Sequence, residues 1–252
     1  MRIDNYLVDK GFFDSRTKAK QAIERNEVYL NGKLVNKVSL IVDDSKTYDI
    51  KHVFNLSFVS LGGYKLNKAI TDFNFNCNNL VVADIGASTG GFTDCLIKNG
   101  AKKVFAVDLN DELLHNSLKS NDKVKLIVKN AKNLVTSDFS EELDLIVADL
   151  SFISINSVIN VFSSLLNDGK HLLVLIKPQF EIGEKVKYKN GIVKDKIARK
   201  NACIKVYNSA IEQGFSCVNF TNAPIVDGKN VEYLMLFIKN DKKSISINDF
   251  DL

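Results

Sequence analysis

Apolar runs recur through the last two-thirds of the chain, with amphipathic stretches between them. Leu80 to Ala83, Val104 to Asp108, Val124 to Val128, Leu143 to Asp149 and Leu172 to Lys177 are almost uninterrupted, as suits strands covered on both faces of a parallel sheet. The segments between them have helical character, as right-handed βαβ units require. Phe215 to Asn222 and Val231 to Ile238 read as a closing antiparallel pair. The pattern predicts a doubly wound α/β sheet of seven strands. A smaller module precedes it. Ile3, Tyr6 and Leu7 fall at helical spacing, and Ser15 caps a second helix through Glu24 with Ala19, Ala22 and Ile23 inward. Val28-Tyr29-Leu30 and Lys33-Leu34-Val35 flank Asn31-Gly32, the preferred pair of a type I′ hairpin. The boundary falls near residues 51–61. Ser60 to Leu66 reads as a glycine-bearing loop that leads into a helix with Leu66, Ala69, Ile70 and Phe73 inward.

The polar residues that matter end the apolar runs. In open α/β sheets ligands bind outside the carboxyl ends of the strands. The first run ends in residues 84–93, which include Asp84, Gly86, Ser88, Thr89, Gly90, Gly91 and Phe92. This is a strand, a glycine-rich turn and a helix start, with free N–H donors and room for close approach of a ligand. The spacing is not the Gly-x-Gly-x-x-Gly of nicotinamide dinucleotide folds, although the turn by itself suits more than one nucleotide. Asp108, followed by Leu109, ends the second run, where an acid can accept from both hydroxyls of a ribose. Asn130 and Ala131 follow the third and by topology border the base. Asp149 and Lys177 end the fourth and fifth, where a charge is costly unless paired or used. An ordinary strand-end ion pair, with the lysine reaching solvent, is the plain alternative. Lys65 and Glu232 are anonymous as isolated charges.

Charge and cysteine content narrow the class. A net charge of +4 over 252 residues leans toward a polyanionic partner. Arg16, Lys18, Lys20, Arg25 and Lys33 gather on the small module, and Lys185, Lys187 and Lys189 follow the fifth strand. An ordinary solvated basic face is the other reading of each group. The four cysteines, Cys77, Cys95, Cys203 and Cys217, are scattered, which points to neither a zinc site nor a disulfide framework and fits a cytoplasmic protein. No run is long enough to span a bilayer, and no secretory segment opens the chain.

Residues 15–23 and 28–33 resemble an S4 RNA-binding domain. The whole chain resembles the TlyA family of ribosomal RNA 2′-O-methyltransferases, an S4 domain joined to an FtsJ-like methyltransferase. The matching strings are residues 62–66, 84–93, 148–154, 175–181, 191–195 and 230–234. The resemblance implies a small α+β S4 domain over residues 1–58 and a seven-stranded, Rossmann-like class I methyltransferase domain over 59–252. It implies S-adenosyl-L-methionine as cofactor, on the turn residues together with Asp108, Leu109, Asn130, Ala131 and Asp149. It also implies a Lys-Asp-Lys-Glu tetrad at Lys65, Asp149, Lys177 and Glu232. The implied partner is ribosomal RNA or a ribosomal subunit, methylated on a cytidine ribose. The short ends of the chain resemble the members that act on the large subunit alone.

The chemistry suits those residue types. A ribose 2′-hydroxyl is a poor nucleophile at neutral pH, so oxygen, carbon and sulfur must be brought into line and a proton removed. Lys177 is expected to act as base or to stabilise the developing alkoxide, Asp149 to orient it, and Glu232 to hold Lys65 or the ribose. A lysine base must be neutral, which a second cation nearby favours. The sequence departs from the family at Leu61, where relatives carry Arg, and at residues 110–114 and 130–133 on the adenine side. The sequence also admits two other readings. Family members are also discussed as haemolysins, which would make the chain a membrane-acting cytolysin, although it offers no clear lytic helix. An RNA-binding protein with an inactive methyltransferase domain is the second.

Overall fold

The computed structural model describes residues 1–24, 27–52, 58–183, 191–225 and 228–247. The chain divides into two compact units, Met1–Ser57 and Phe58–Leu252.

In the first unit, helices α1 (Ile3–Asp9) and α2 (Arg16–Glu24) pack on a small antiparallel sheet of β1 (Val28–Leu30), β2 (Lys33–Leu34) and β3 (Ile50–His52), in the order β2-β1-β3. The hairpin turn has φ of 49° at Asn31 and 75° at Gly32, the left-handed values that a type I′ turn demands of both central residues. Ile3, Tyr6, Leu7, Ala19, Ala22, Ile23 and Val28 form its core. Strand β3 is absent from the sequence reading, because three residues bounded by polar chain carry no period.

The second unit is built on β4 (Val81–Ile85), β5 (Lys103–Asp108), β6 (Val124–Val128), β7 (Leu145–Ala148), β8 (His171–Ile176), β9 (Phe215–Asn222) and β10 (Tyr233–Lys239). Their order is β6-β5-β4-β7-β8-β10-β9. The pairs among β4 to β8 are parallel, and β10 runs antiparallel to both β8 and β9. Alternation along each strand feeds two cores. Leu172, Val174 and Ile176 face one layer, which includes α6 (Ile159–Leu165) and α8 (Lys196–Glu212). Leu173 and Leu175 face the other, which includes α3 (Gly62–Asp72) and α4 (Gly91–Lys98). Short helices α5 (Asn116–Lys119) and α7 (Pro178–Glu181) complete the unit. The chain leaves β4 for β5 and β6, then returns across it to β7, so the strand order reverses between β4 and β7. That reversal opens the crevice in which such folds bind ligands.

Several expectations are corrected. Gly62 and Gly63 do not form a loop, because α3 already includes them and Lys65 lies in its first turns. The glycines serve close packing instead. A Cβ on Gly91 would come within 2.9 Å of the Gly63 nitrogen and 3.1 Å of the Gly62 Cα, so only bare backbone lets the starts of α3 and α4 meet. Strand β6 is an edge strand with Val128 exposed rather than a strand buried on both faces. The ends also shift. Asp149 and Lys177 stand one residue past β7 and β8, and Glu232 one residue before β10 rather than within it. Charged groups sit there because a strand interior buried on both faces has no solvent for them.

Candidate active site

The four expected residues meet as two ion pairs in one cavity. Lys177 Nζ lies 2.5 Å from Asp149 Oδ1 across the ends of β8 and β7. Lys65 Nζ, from α3, lies 2.6 Å from Glu232 Oε2, just ahead of β10. All four line one cavity of about 480 Å³. Lys177 is only 8% exposed, so the pair it makes with Asp149 is largely out of solvent. The lysine is also held by Ser151, whose Oγ accepts from Nζ at 2.7 Å. One hydrogen bond and one ion pair thereby hold the ammonium at the cavity wall.

The turn residues form the floor between this cavity and a second of about 440 Å³. Gly86, Ser88, Asp149 and Ser151 border both. Thr89, Gly91 and Phe92 line the first, and Asp108, Leu109, Asn130 and Ala131 the second. Gly86 has φ of 84°, and a Cβ there would sit 2.8 Å from the Asp149 carbonyl oxygen, so the turn passes against the segment that carries the ion pair. Asp108 accepts from Leu109 N at 2.7 Å and Asn110 N at 3.2 Å through Oδ1 and from Ser88 N at 2.8 Å through Oδ2, which leaves a lone pair on Oδ2 for a ligand. Asn130 Oδ1 caps its own short turn through Lys132 N at 2.9 Å.

Asp84 and Gly90 stand behind the wall rather than in it. A Cβ on Gly90 would meet Leu118 Cδ1 at 2.3 Å, so this glycine admits the packing of α5 beneath the turn. Asp84 is fully buried, accepts from Thr93 Oγ1 at 2.6 Å through Oδ2, and leaves Oδ1 without a hydrogen bond. Burial pushes its carboxyl up to about 7, with the nearby Asp149 and Asp108 carboxylates adding to the rise. The Asp108 and Asp149 carboxylates on the cavity walls disfavour the phosphates of a dinucleotide or nucleoside triphosphate. They suit a cofactor that carries a sulfonium and an ammonium, such as S-adenosylmethionine.

The raised Asp84 value makes a stability prediction. Its unfolded value lies near 3.8, so between 3.8 and about 7 the folded state holds a proton that the unfolded state has lost. Stability from this group therefore falls as pH rises through that window, by at most about 4 kcal/mol. Asp84→Asn is expected to raise the melting temperature of the cofactor-free protein at pH 8 by several degrees, with the gain shrinking toward zero near pH 4. Calorimetric scans across pH check it, and a pH-independent difference between the two proteins contradicts it.

Other residues of the site escaped the sequence reading. Ser151 carries no signal of its own in the sequence. Phe152 has φ of 69° and is 88% exposed beside the second cavity, with its ring centroid 5.4 Å from that of Phe180. Glu181 is buried and accepts from Ile155 N at 2.8 Å, Asn156 Nδ2 at 3.1 Å and the Ser154 hydroxyl. Burial raises its carboxyl above the ordinary value. It ties the segment after β7 to the one after β8 and so fixes the frame of the Lys177–Asp149 pair. No periodicity marks a single buried acid of this kind.

The basic residues of the first unit are partly engaged. Arg16 pairs with the buried Asp4 at 3.1 Å, Lys18 with Asp14 at 2.5 Å and Lys20 with Glu24 at 3.5 Å. The Lys18 and Lys20 pairs are exposed and therefore weak. Lys33 is exposed on β2. Arg25, Lys185, Lys187 and Lys189 lie outside the described residues.

A doubly wound sheet of this order, with a glycine turn and acids at its reversal point, defines a Rossmann-like methyltransferase. Solved structures of S-adenosylmethionine-dependent methyltransferases share that fold at low identity, one from Listeria monocytogenes at 13% with a TM-score of 0.53. Residues 58–239 match the FtsJ-like methyltransferase family and residues 1–47 the S4 domain. The chain belongs to the FtsJ-like methyltransferase family and carries an S4 domain ahead of it. It is 40% identical to Hemolysin A of Brachyspira hyodysenteriae, over 94% of this chain and 100% of that protein. It is 33% identical to the 23S rRNA (cytidine-2′-O)-methyltransferase TlyA of Campylobacter jejuni, over 95% of this chain and 100% of that protein. A solved protein described as a hemolysin, from Streptococcus thermophilus, superposes with a TM-score of 0.75 at 33% identity, over 97% of this chain and 90% of that one.

Proposed function

We propose that this chain transfers the methyl group of S-adenosylmethionine to the 2′-hydroxyl of a cytidine in ribosomal RNA, with the large subunit as substrate. The observation that carries the reading is the buried Lys177–Asp149 pair, set beside Lys65–Glu232 in one cavity that borders the glycine turn. The sulfonium supplies an electrophilic methyl when the cofactor is bound. Asp108 and Asn130 would hold its nucleoside in the smaller cavity, and the turn its amino-acid end. The protein's task is then alignment and proton removal. Lys177 Nζ would contact the 2′-hydroxyl and, as base or as stabiliser of the developing alkoxide, serve the transfer of the methyl group that the bound cofactor would supply. Asp149 and Ser151 aim that nitrogen, and Glu232 fixes Lys65 as the second cation beside the developing oxyanion.

Residues 1–58 are the RNA-binding part of this reading and 59–252 the transferase. The first would meet RNA through phosphates and shape, using Arg16, Lys18, Lys20, Arg25 and Lys33, with Lys185, Lys187 and Lys189 on the second. Exposed Phe152 offers a face to a base taken out of its stack. The Campylobacter jejuni relative, named for the 23S cytidine reaction and matched over its whole length, supports the choice of nucleotide and subunit. An enzyme of this kind works in the cytoplasm. No helix among the described residues is long and apolar enough to cross a membrane, so no observation of this structure favours a cytolysin.

Incubation with methyl-labelled cofactor and unmodified ribosomal subunits tests the reading. Label is expected in large-subunit RNA, and leakage of dye-loaded vesicles is expected to stay at background. Vesicle leakage without methyl transfer would reverse it.

A further inference from the structure

Gln179 stands two residues past Lys177, on α7, and lines the larger cavity together with Lys177, Lys65 and Glu232. Its Oε1 is buried and accepts no hydrogen bond among the described residues. An acceptor left in that condition costs about 1–3 kcal/mol, and nearly all such groups in folded proteins find a donor. Asp149 Oδ1 on the same wall also accepts no hydrogen bond but has Lys177 as its ion-pair partner, and two further neighbours are committed. Asn230 spends both ends of its amide, accepting from Val193 N at 2.8 Å and donating to the Gly191 carbonyl at 2.9 Å. Ser151 receives Lys177.

The platform beneath Gln179 is stiff. Pro178 starts the helix, and the Glu181 carboxylate holds it to residues 154–156. Lys205 Nζ, from α8, donates to the Glu181 carbonyl at 3.1 Å. An amide oxygen without a donor, on a fixed support next to the lysine that meets the 2′-hydroxyl, suits a donor that arrives with the substrate.

We infer that Gln179 reads the base of the target nucleotide: Oε1 accepts from the exocyclic amino group of cytosine, and Nε2 donates to the neighbouring ring nitrogen. The inference deepens the proposed function and rests on it. A carboxamide presents one acceptor and one donor side by side, which matches the N4–H donor and N3 acceptor of cytosine. Uracil reverses that order, so the amide must turn over and its oxygen leave the position it holds here. Gln179 is therefore a specificity residue, separate from the proton-handling pair.

Paired RNA templates that differ only by cytidine or uridine at the target site test this, with single-turnover kinetics and cofactor titration by calorimetry. Gln179→Ala is expected to lower kcat/KM on the cytidine template by about 10–100-fold and to narrow the cytidine-over-uridine preference. Cofactor Kd is expected to stay within about twofold. Gln179→Glu keeps the shape and an acceptor but loses the donor, so it should fall between the two, and it serves if the alanine variant does not fold. Unchanged kinetics and preference in both variants overturn the inference alone. A weakened cofactor Kd that accounts for the whole loss also overturns it, because the amide then serves the cofactor. A wild-type protein inactive on both templates overturns the functional reading and this inference with it.

Discussion

Lys177→Ala is expected to slow methyl transfer by about 10³-fold or more while cofactor binding remains measurable. The magnitude follows from the two tasks assigned to one nitrogen. General-base catalysis by a positioned side chain contributes roughly 10²–10⁴-fold. The same group steadies the charge that grows on the ribose oxygen, and electrostatic assistance of that kind is strongest in a site shielded from water. Lys177 has that shielding, at 8% exposure. It also has fixed direction, from Asp149 at 2.5 Å and Ser151 at 2.7 Å. Lys177→Arg would keep the charge but is not conservative, because guanidinium does not act as a base near neutral pH and its planar fork differs in shape from the compact ammonium set between Asp149 and Ser151. Single-turnover rates with saturating cofactor, beside calorimetric cofactor titration, check the expectation. Wild-type turnover in Lys177→Ala would remove Lys177 from the reaction.

Asp149→Ala is expected to act on stability and activity together. It leaves the Lys177 ammonium in a largely dry site without its counter-charge, a change that costs about 3 kcal/mol or more when one partner of a buried pair is removed. For a unit of this size that is a fall of roughly 6–12 °C in melting temperature. The double variant Asp149→Leu with Lys177→Met removes both charges and keeps volume. It is expected to recover most of the lost stability and none of the activity. Thermal scans of the single and double variants measure the coupling. If the double variant melts no higher than the single, the pair is not the source of the loss. A milder effect is expected at Lys65–Glu232, where the side chains are 25% and 14% exposed and solvent screens the pair more.

The sequence makes the sheet legible because its central strands are buried on both faces, and burial on both faces leaves uninterrupted apolar runs. It makes Asp149 and Lys177 legible for the same reason, since a charge at the end of such a run stands out. Asp108 and the glycine turn follow from strand-end logic. What the sequence hides is set by contacts between distant segments. Glu181 and Ser154 lie 27 positions apart and meet only when β7 and β8 pair. Gly62 and Gly63 look like a loop because the reason for them, the close approach of Gly91, is far along the chain. Lys65 and Glu232 are separated by 167 positions and neither ends a strand run, so only the family resemblance singles them out. Strand β3 is too short to carry a period of its own.

The most direct measurement of the central claim is nucleoside analysis of large-subunit RNA after incubation of unmodified subunits with this protein and methyl-labelled S-adenosylmethionine. The account predicts label recovered as 2′-O-methylcytidine at one position, resistant to alkaline cleavage on its 3′ side, and lost in Lys177→Ala. Label recovered on a base, on protein or on no RNA at all would contradict it.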